Sequence, residues 1–222
     1  MAPARPLTST SYAILGLLSL RPWTTYELAQ QMQRALGQFW PRAESKLYEE
    51  PKKLVQHGFA KATVEHVGKR PRTVYAITPA GRKALRAWMP TPSEGPVIEF
   101  EALIKVFFAE HGTKQDLLTA IDAAHAWVER RYEESEGISR GYLDGEGGFP
   151  ERLPWLILCG GFLQEMIEAV EQWAAWASET VESWPDELTS VEPDLDTLEA
   201  MALRSEARGP RPTSALASRS RR

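Results

Sequence analysis

Cysteine is almost absent from this chain. Cys159 is its single occurrence in 222 residues, which excludes an intramolecular disulfide and a cysteine-rich metal centre and suits a reducing compartment. Histidine is sparse too: His57, His66, His111 and His125 fall at no metal-ligand spacing, and His125 and Glu129, four apart, lack a third ligand. No uninterrupted apolar run reaches the ~18 residues that a membrane-crossing helix needs. The apolar stretch over residues 12–20 resembles the core of a secretion signal but has no small-residue cleavage site, and its spacing serves better as an amphipathic helix. There is no nucleophile elbow, no glycine-rich phosphate cradle and no pair of carboxylates in a plausible pocket context. These gaps point away from a secreted scaffold, a metalloprotein, a membrane protein and an enzyme. They leave a cytoplasmic protein with no catalytic residues and no bound metal or cofactor.

An excess of positive charge is also missing, with a net charge of −4 and an isoelectric point near 5.7. Taken alone, that balance argues against a nucleic-acid partner. Its distribution argues the opposite. Residues 1–90 hold 14 Lys and Arg against 5 Glu, residues 91–203 hold 6 against 24 Asp and Glu, and residues 204–222 hold 6 Arg against a single Glu. Segregation on this scale means that one part of the chain seeks a polyanion and another avoids it.

The basic part has a definite element order. Residues 8–20 read as a buried helix capped by Thr8 or Ser9, ended by Arg21-Pro22-Trp23. Thr24 or Thr25 caps a second helix, with Tyr26, Leu28, Ala29, Met32 and Leu36 as its apolar positions. A third follows Pro41 and carries Leu47, Leu54 and Val55 inward, closing at Gly58. The period then changes to two over residues 59–67 and 73–77, around Gly68-Lys69-Arg70-Pro71-Arg72, which signals a hairpin with a basic tip. Thr78 caps a helix that Pro79 opens. Three helices, a hairpin and a helix make a winged helix-turn-helix, in which the third helix enters the major groove and the wing touches flanking backbone.

Residues 89–96 (M-P-T-P-S-E-G-P) read as a linker. The acidic part reads as helical: residues 98–110 with an apolar face of Ile98, Ala102, Leu103, Ile104, Phe107 and Phe108, then a helix from a Thr113 cap to about Glu136. Residues 137–150, with five glycines, read as a loop. A long last helix over residues 154–184 carries an aromatic stripe. Beyond Pro185 only a short helix over residues 195–203 is expected, and the Arg-rich end reads as disordered. The expected fold is therefore mainly α with a small β-hairpin. It comprises a DNA-binding domain over 1–88, a linker over 89–96, a helical dimerisation and effector domain over 97–184, and a tail over 185–222.

Four strings carry a family resemblance: L-T-S-T-S-Y-A-I-L-G-L-L-S-L, T-T-Y-E-L-A-Q-Q-M, L-Y-x-x-x-K-K-L-x-x-x-G-F and R-P-R-T-V-Y-A-I-T-P-A-G-R-K-A-L. Across residues 7–88 the chain resembles the PadR family of transcriptional regulators, and its helical region is similar in layout to that family's dimerisation domain. The resemblance implies a homodimer, repression in most members, and release from operator DNA by a small molecule. The chain departs from the family at Glu49, where Pro is usual, and at Pro51, where Leu is usual. A proline inside a helix removes the bond to the carbonyl four residues back, here that of Leu47, and costs on the order of 3 kcal/mol unless the helix kinks.

The residues expected to meet double-stranded DNA are Ser45, Lys46, Tyr48, Lys52 and Lys53 on the third helix, with Lys69, Arg70 and Arg72 in the wing. Most such contacts position the protein and do not read sequence. Glu49 and Glu50 either face away from DNA, or one of them accepts from a cytosine amine. Trp127, Trp155, Phe162, Met166, Trp173 and Trp176 form a helix core or dimer seam. Alternatively some of them, with Trp88, line an apolar cavity for a planar aromatic effector. Cys159 reads as a small buried residue. Two other functional classes fit the same residues: a winged-helix adaptor that binds protein and not DNA, and a small-molecule binder or enzyme built on the aromatic cavity.

Overall fold

The structure, a computed structural model, describes residues 7–67 and 70–207, the side chains of Val67 and Arg70 excepted. The chain divides into two compact units, Met1–Ile98 and Glu99–Arg222. The first runs α1 (Ser9–Leu20), β1 (Trp23–Thr24), α2 (Thr25–Gln31), a π-helical turn Met32–Leu36, α3 (Glu44–Gln56), β2 (Ala60–Val67), β3 (Arg70–Ile77) and α4 (Pro79–Trp88).

Local chemistry fixes the starts of these elements. Thr8 caps α1 and Thr24 caps α2, each in a reciprocal box: Ser11 N–H donates to Thr8 Oγ1 at 3.2 Å and Glu27 N–H to Thr24 Oγ1 at 3.2 Å. The Glu27 carboxylate returns the bond by accepting from Thr24 N–H at 2.7 Å. Hydrogen bonding to the Thr24 backbone N–H first, and to its hydroxyl second, holds the Glu27 carboxyl below its ordinary range. Gly58, at φ +75°, supplies the left-handed turn out of α3. Gly81 of α4 lies so close to Phe59 that a Cβ would meet its carbonyl oxygen at 2.1 Å. The core gathers Ile14, Leu15, Leu18, Leu28, Met32, Leu47 and Leu54, all buried.

The sheet differs from the expected hairpin by one strand. Its order is β1-β3-β2, with Trp23 opposite Tyr75 and Thr24 opposite Val74. Two residues are too few to show a period, so the sequence presents β1 only as a helix stop. Trp23 is buried and donates its indole N–H to Leu17 O at 2.9 Å, which locks the strand beneath α1.

The second unit comprises α5 (Glu101–Phe107), α6 (Lys114–Leu143), α7 (Leu153–Glu182) and α8 (Leu195–Ala207), with single 3-10 turns at Ala109–His111, Pro150–Arg152 and Leu188–Ser190. α6 and α7 pack through Leu117, Ile121, Ala124, Ala174, Ala177 and Val181, flanked by Phe100, Val106, Trp173 and Trp184. Lys114 at the start of α6 closes the far end of α7 by donating to Glu182 O at 2.8 Å and Trp184 O at 2.7 Å.

Three expectations fail here. α6 continues through Gly137 and Gly141 to Leu143, because a helical glycine costs only about 0.5–1 kcal/mol against the rest of a long helix. α5 begins at Glu101, and of its expected apolar face only Ala102 is buried, Phe107 being 77% exposed. Cys159 is exposed. α7 also contains an 18-residue window apolar enough, by length and composition, to cross a membrane, because an average tolerates the polar residues that break an uninterrupted run. Only 6% of that window is buried. The Arg-rich residues 208–222 lie outside the described residues.

Candidate nucleic-acid interface

α3 sorts its residues by phase. At about 100° per residue, Leu47, Glu50, Pro51 and Leu54 share one side, and all four are buried. The opposite side presents Ser45, Glu49, Lys52 and Gln56 as a single exposed stripe, with Lys46 and Lys53 beside it. Glu44 in the first turn is favourable to the helix dipole, and no side chain caps the Ala43 end. Pro51 lies inside a helix that is continuous from Glu44 to Gln56, its ring turned into the core.

Of the predicted DNA contacts on α3, Ser45, Lys46, Lys52 and Lys53 are exposed and Tyr48 is half-buried at the stripe's other edge. Lys53 is already engaged, 3.9 Å from Glu49 and 3.4 Å from Glu50. The two glutamates are not equivalent. Glu49 stands on the exposed stripe, whereas Glu50 is 9% exposed and accepts a hydrogen bond from the buried hydroxyl of Ser11. Glu50 is thereby excluded as a reader of bases.

The wing is the β2–β3 ribbon, paired in register from Ala60 opposite Ile77 to Val67 opposite Arg70. Pro71 lies opposite His66, beyond the two rungs that β1 contributes, so β2 is its one neighbouring strand. Arg72 faces Glu65 across the ribbon and donates to Glu65 Oε2 from Nη2 at 2.9 Å and from Nε at 3.3 Å. Lys69 and the side chain of Arg70 lie outside the described residues.

Between wing, α2 and α3 lies an open depression of about 560 Å³, lined by Thr24, Thr25, Tyr26, Glu27, Tyr48, Arg72 and Thr73. It joins a predicted helix residue, Tyr48, to a predicted wing residue, Arg72, through the start of α2 and Thr73 of the ribbon. Tyr26 was expected among the apolar core positions and is 66% exposed. The signal was available: once Thr24 is the cap and Leu28 is buried, Tyr26 points about 200° away from Leu28. Partial desolvation and the neighbouring Glu44 carboxylate, to which its hydroxyl bonds, raise the Tyr48 phenol above its ordinary pKa. It therefore remains a neutral donor.

Residues 14–87 match the Transcriptional regulator PadR-like family. The N-terminal unit is a PadR-like domain. That description is of a family of transcriptional regulators, and the winged-helix fold is shared with solved PadR structures. Residues 100–183, from α5 to the end of α7, match a second description, Virulence activator alpha C-term. The chain is similar to the Negative transcriptional regulator PadR of Bacillus subtilis, with 31% identity over 111 residues, 47% of this chain and 59% of that regulator's length. It is similar to the Probable transcriptional regulator Rv1176c of Mycobacterium tuberculosis, with 27% identity over 190 residues, 78% of this chain and 95% of the relative. Among solved structures, Bacillus subtilis PadR in complex with operator DNA shares the fold at TM-score 0.59 and 24% identity, covering 80% of this chain and 98% of that one.

Outside the PadR-like domain the predicted aromatic residues are spread out. Trp127 is half-buried on α6, with the Arg131 guanidinium 5.4 Å from its ring centre. On α7, Trp173 is half-buried and packs edge-on against Phe100 at 5.4 Å, and Met166 is half-buried. Trp155, Phe162 and Trp176 are exposed. Trp155 and Trp176 are about 32 Å apart along the helix at 1.5 Å per residue, so one small ligand cannot touch both ends within a single chain. Trp88 belongs to the N-terminal unit, where it stacks on Tyr12 with ring centres 4.7 Å apart.

Proposed function

We propose that this protein is a homodimeric repressor that binds an operator through the exposed stripe of α3 and the wing, and releases it when a small molecule binds the helical unit. The observation that supports the reading is the depression shared by Tyr48 of α3 and Arg72 of the wing, with Ser45, Lys46 and Lys52 exposed on the same helix, in a region where 14 Lys and Arg stand against 5 Glu. In the dimer, two such faces straddle a pseudo-palindrome with half-sites about one helical turn apart. Repression agrees with the negative regulation named for the Bacillus subtilis relative. The protein acts in the cytoplasm, without a bound cofactor and without chemistry of its own.

The dimer reading rests on α7. Trp155, Ile157, Leu158 and Phe162 are exposed along its first half, Leu158 by 75%. A contiguous apolar surface of that kind marks an interface, and a second copy of the same helix covers it. The effector is then a planar aromatic compound held against α7 tryptophans at or beside that seam, where apolar walls and a few polar anchors suit it. Selection of bound fragments from genomic and random DNA, followed by band shifts at two salt concentrations, tests the core of the proposal. Tight binding that weakens steeply with salt supports it. Failure to select any DNA returns the protein to the adaptor reading.

A further inference from the structure

Ser11 and Glu50 are the two polar residues in the buried class among the described residues, and they are bonded to each other. Ser11 Oγ donates to Glu50 Oε1, while Thr8 N–H donates back to Ser11 Oγ at 3.0 Å and the two hydroxyls lie 3.0 Å apart. A serine hydroxyl has one proton and two lone pairs, so all three are used. The other carboxylate oxygen, Glu50 Oε2, is 3.4 Å from Lys53 Nζ. The result is a chain of bonds from the cap of α1, through Ser11 and Glu50, to a lysine on the DNA-facing side of α3.

Its position is what gives the chain meaning. Glu50 immediately precedes Pro51, whose missing N–H leaves the carbonyl of Leu47 without its helical partner. The helix is internally weakest at that point, and there a directional bond ties it to α1. Apolar packing would hold α3 against α1 equally well, but it would not fix the helix's rotation. A buried carboxylate with one partner oxygen does. The stripe of Ser45, Glu49, Lys52 and Gln56 turns with that rotation, because it occupies the opposite side of the same helix.

We propose that Glu50 is a positioning residue for operator recognition: through Ser11 it sets the rotation of α3 at Pro51, and through Lys53 it keeps one cation off the DNA backbone. This rests on the DNA-binding reading above. The test uses the full chain and two DNA probes, a fragment selected by the unaltered protein and a scrambled fragment of equal length. Glu50→Leu removes a buried charge in favour of a similar apolar volume, and the Ser11 hydroxyl turns to donate to Thr8 Oγ1, 3.0 Å away, so the variant folds with thermal stability close to that of the unaltered protein. Its ratio of selected to scrambled affinity falls at least tenfold. Glu50→Gln keeps an oxygen to accept from Ser11 and restores that ratio. Both variants take the nearer of its two carboxylates from Lys53, leaving only the exposed Glu49 at 3.9 Å, and both steepen the salt dependence by up to about 0.9 in slope per chain.

A merely structural role links lost discrimination to lost stability and does not move the slope. The proposal is overturned if Glu50→Leu discriminates within threefold of the unaltered protein. It is equally overturned if Glu50→Gln loses as much discrimination as Glu50→Leu. Should Glu50→Leu fail to fold, the slope of Glu50→Gln decides, and an unchanged slope overturns the release of Lys53. If the unaltered protein selects no DNA, the underlying reading fails instead, an outcome distinct from the other three.

Discussion

The ion pair between Arg72 and Glu65 makes a prediction that reverses the usual expectation for a charge substitution. In the wing the guanidinium is held by the Glu65 carboxylate, at 2.9 and 3.3 Å, in the place that an operator phosphate takes under the proposed function. The two side chains are 48% and 44% exposed, so water screens the pair and its strength is that of a surface pair, about 0.2–1 kcal/mol. Under that proposal DNA has to displace it. Replacing Glu65 with Gln removes that competitor and tightens binding by about 1.4- to 5-fold per wing, or about 2- to 25-fold for two wings on one operator. Protein stability changes by no more than the strength of the pair. Fluorescence anisotropy on a selected fragment at low salt measures the gain. The control is a double-mutant cycle with Arg72→Gln: the gain from Glu65→Gln disappears in that background if Arg72 is the cation released. If the gain persists there, it comes only from the lost repulsion of Glu65, and if none is seen at all the latch does not exist.

Leu54 is completely buried beneath α3, so Leu54→Ala destabilises the PadR-like domain by about 2–5 kcal/mol in denaturant unfolding. Phe162→Glu places a charge in the exposed apolar half of α7; analytical ultracentrifugation should show monomers, with helix content by circular dichroism unchanged. The capping carboxylates Glu27 and Asp116 are held below their ordinary pKa by bonds from Thr24 and Thr113 respectively. Groups depressed in this way contribute stability above their unfolded pKa and lose it as pH falls through the folded one. Acid titration therefore weakens the starts of α2 and α6 below the normal carboxylate range. Thr24→Ala and Thr113→Ala remove that part of the pH dependence.

The fold was legible in the sequence wherever the signal is local. Thr78 and Thr113 cap the helices they were expected to begin, Thr8 and Thr24 do so from the pairs Thr8 or Ser9 and Thr24 or Thr25, and Gly58 ends α3 where the period changes. The interface was only half legible, because its geometry depends on partners far along the chain. The sequence leaves Glu50 either facing away from DNA or reading a base, and the residue that decides between them, Ser11, is 39 positions away. Tyr26 reads as core until the phase of α2 is anchored at Thr24. Strand β1 owes its existence to Tyr75 and Val74 of a distant strand. The exposed apolar residues of α5 and α7 carry a core-like pattern that one chain does not bury, so periodicity describes their face correctly and their environment wrongly.

The central claim is that the α3 stripe reads bases while the wing holds backbone. Base-by-base binding profiles of Ser45→Ala, Lys52→Gln and Arg72→Gln against single substitutions in a selected operator test it most directly. The account predicts that at least one α3 change relaxes preference at defined base positions by about 1–3 kcal/mol, while Arg72→Gln lowers affinity evenly across all sequences and flattens the salt dependence. Profiles that keep every preference in both α3 variants, or a wing variant that changes preference and not salt dependence, would contradict it.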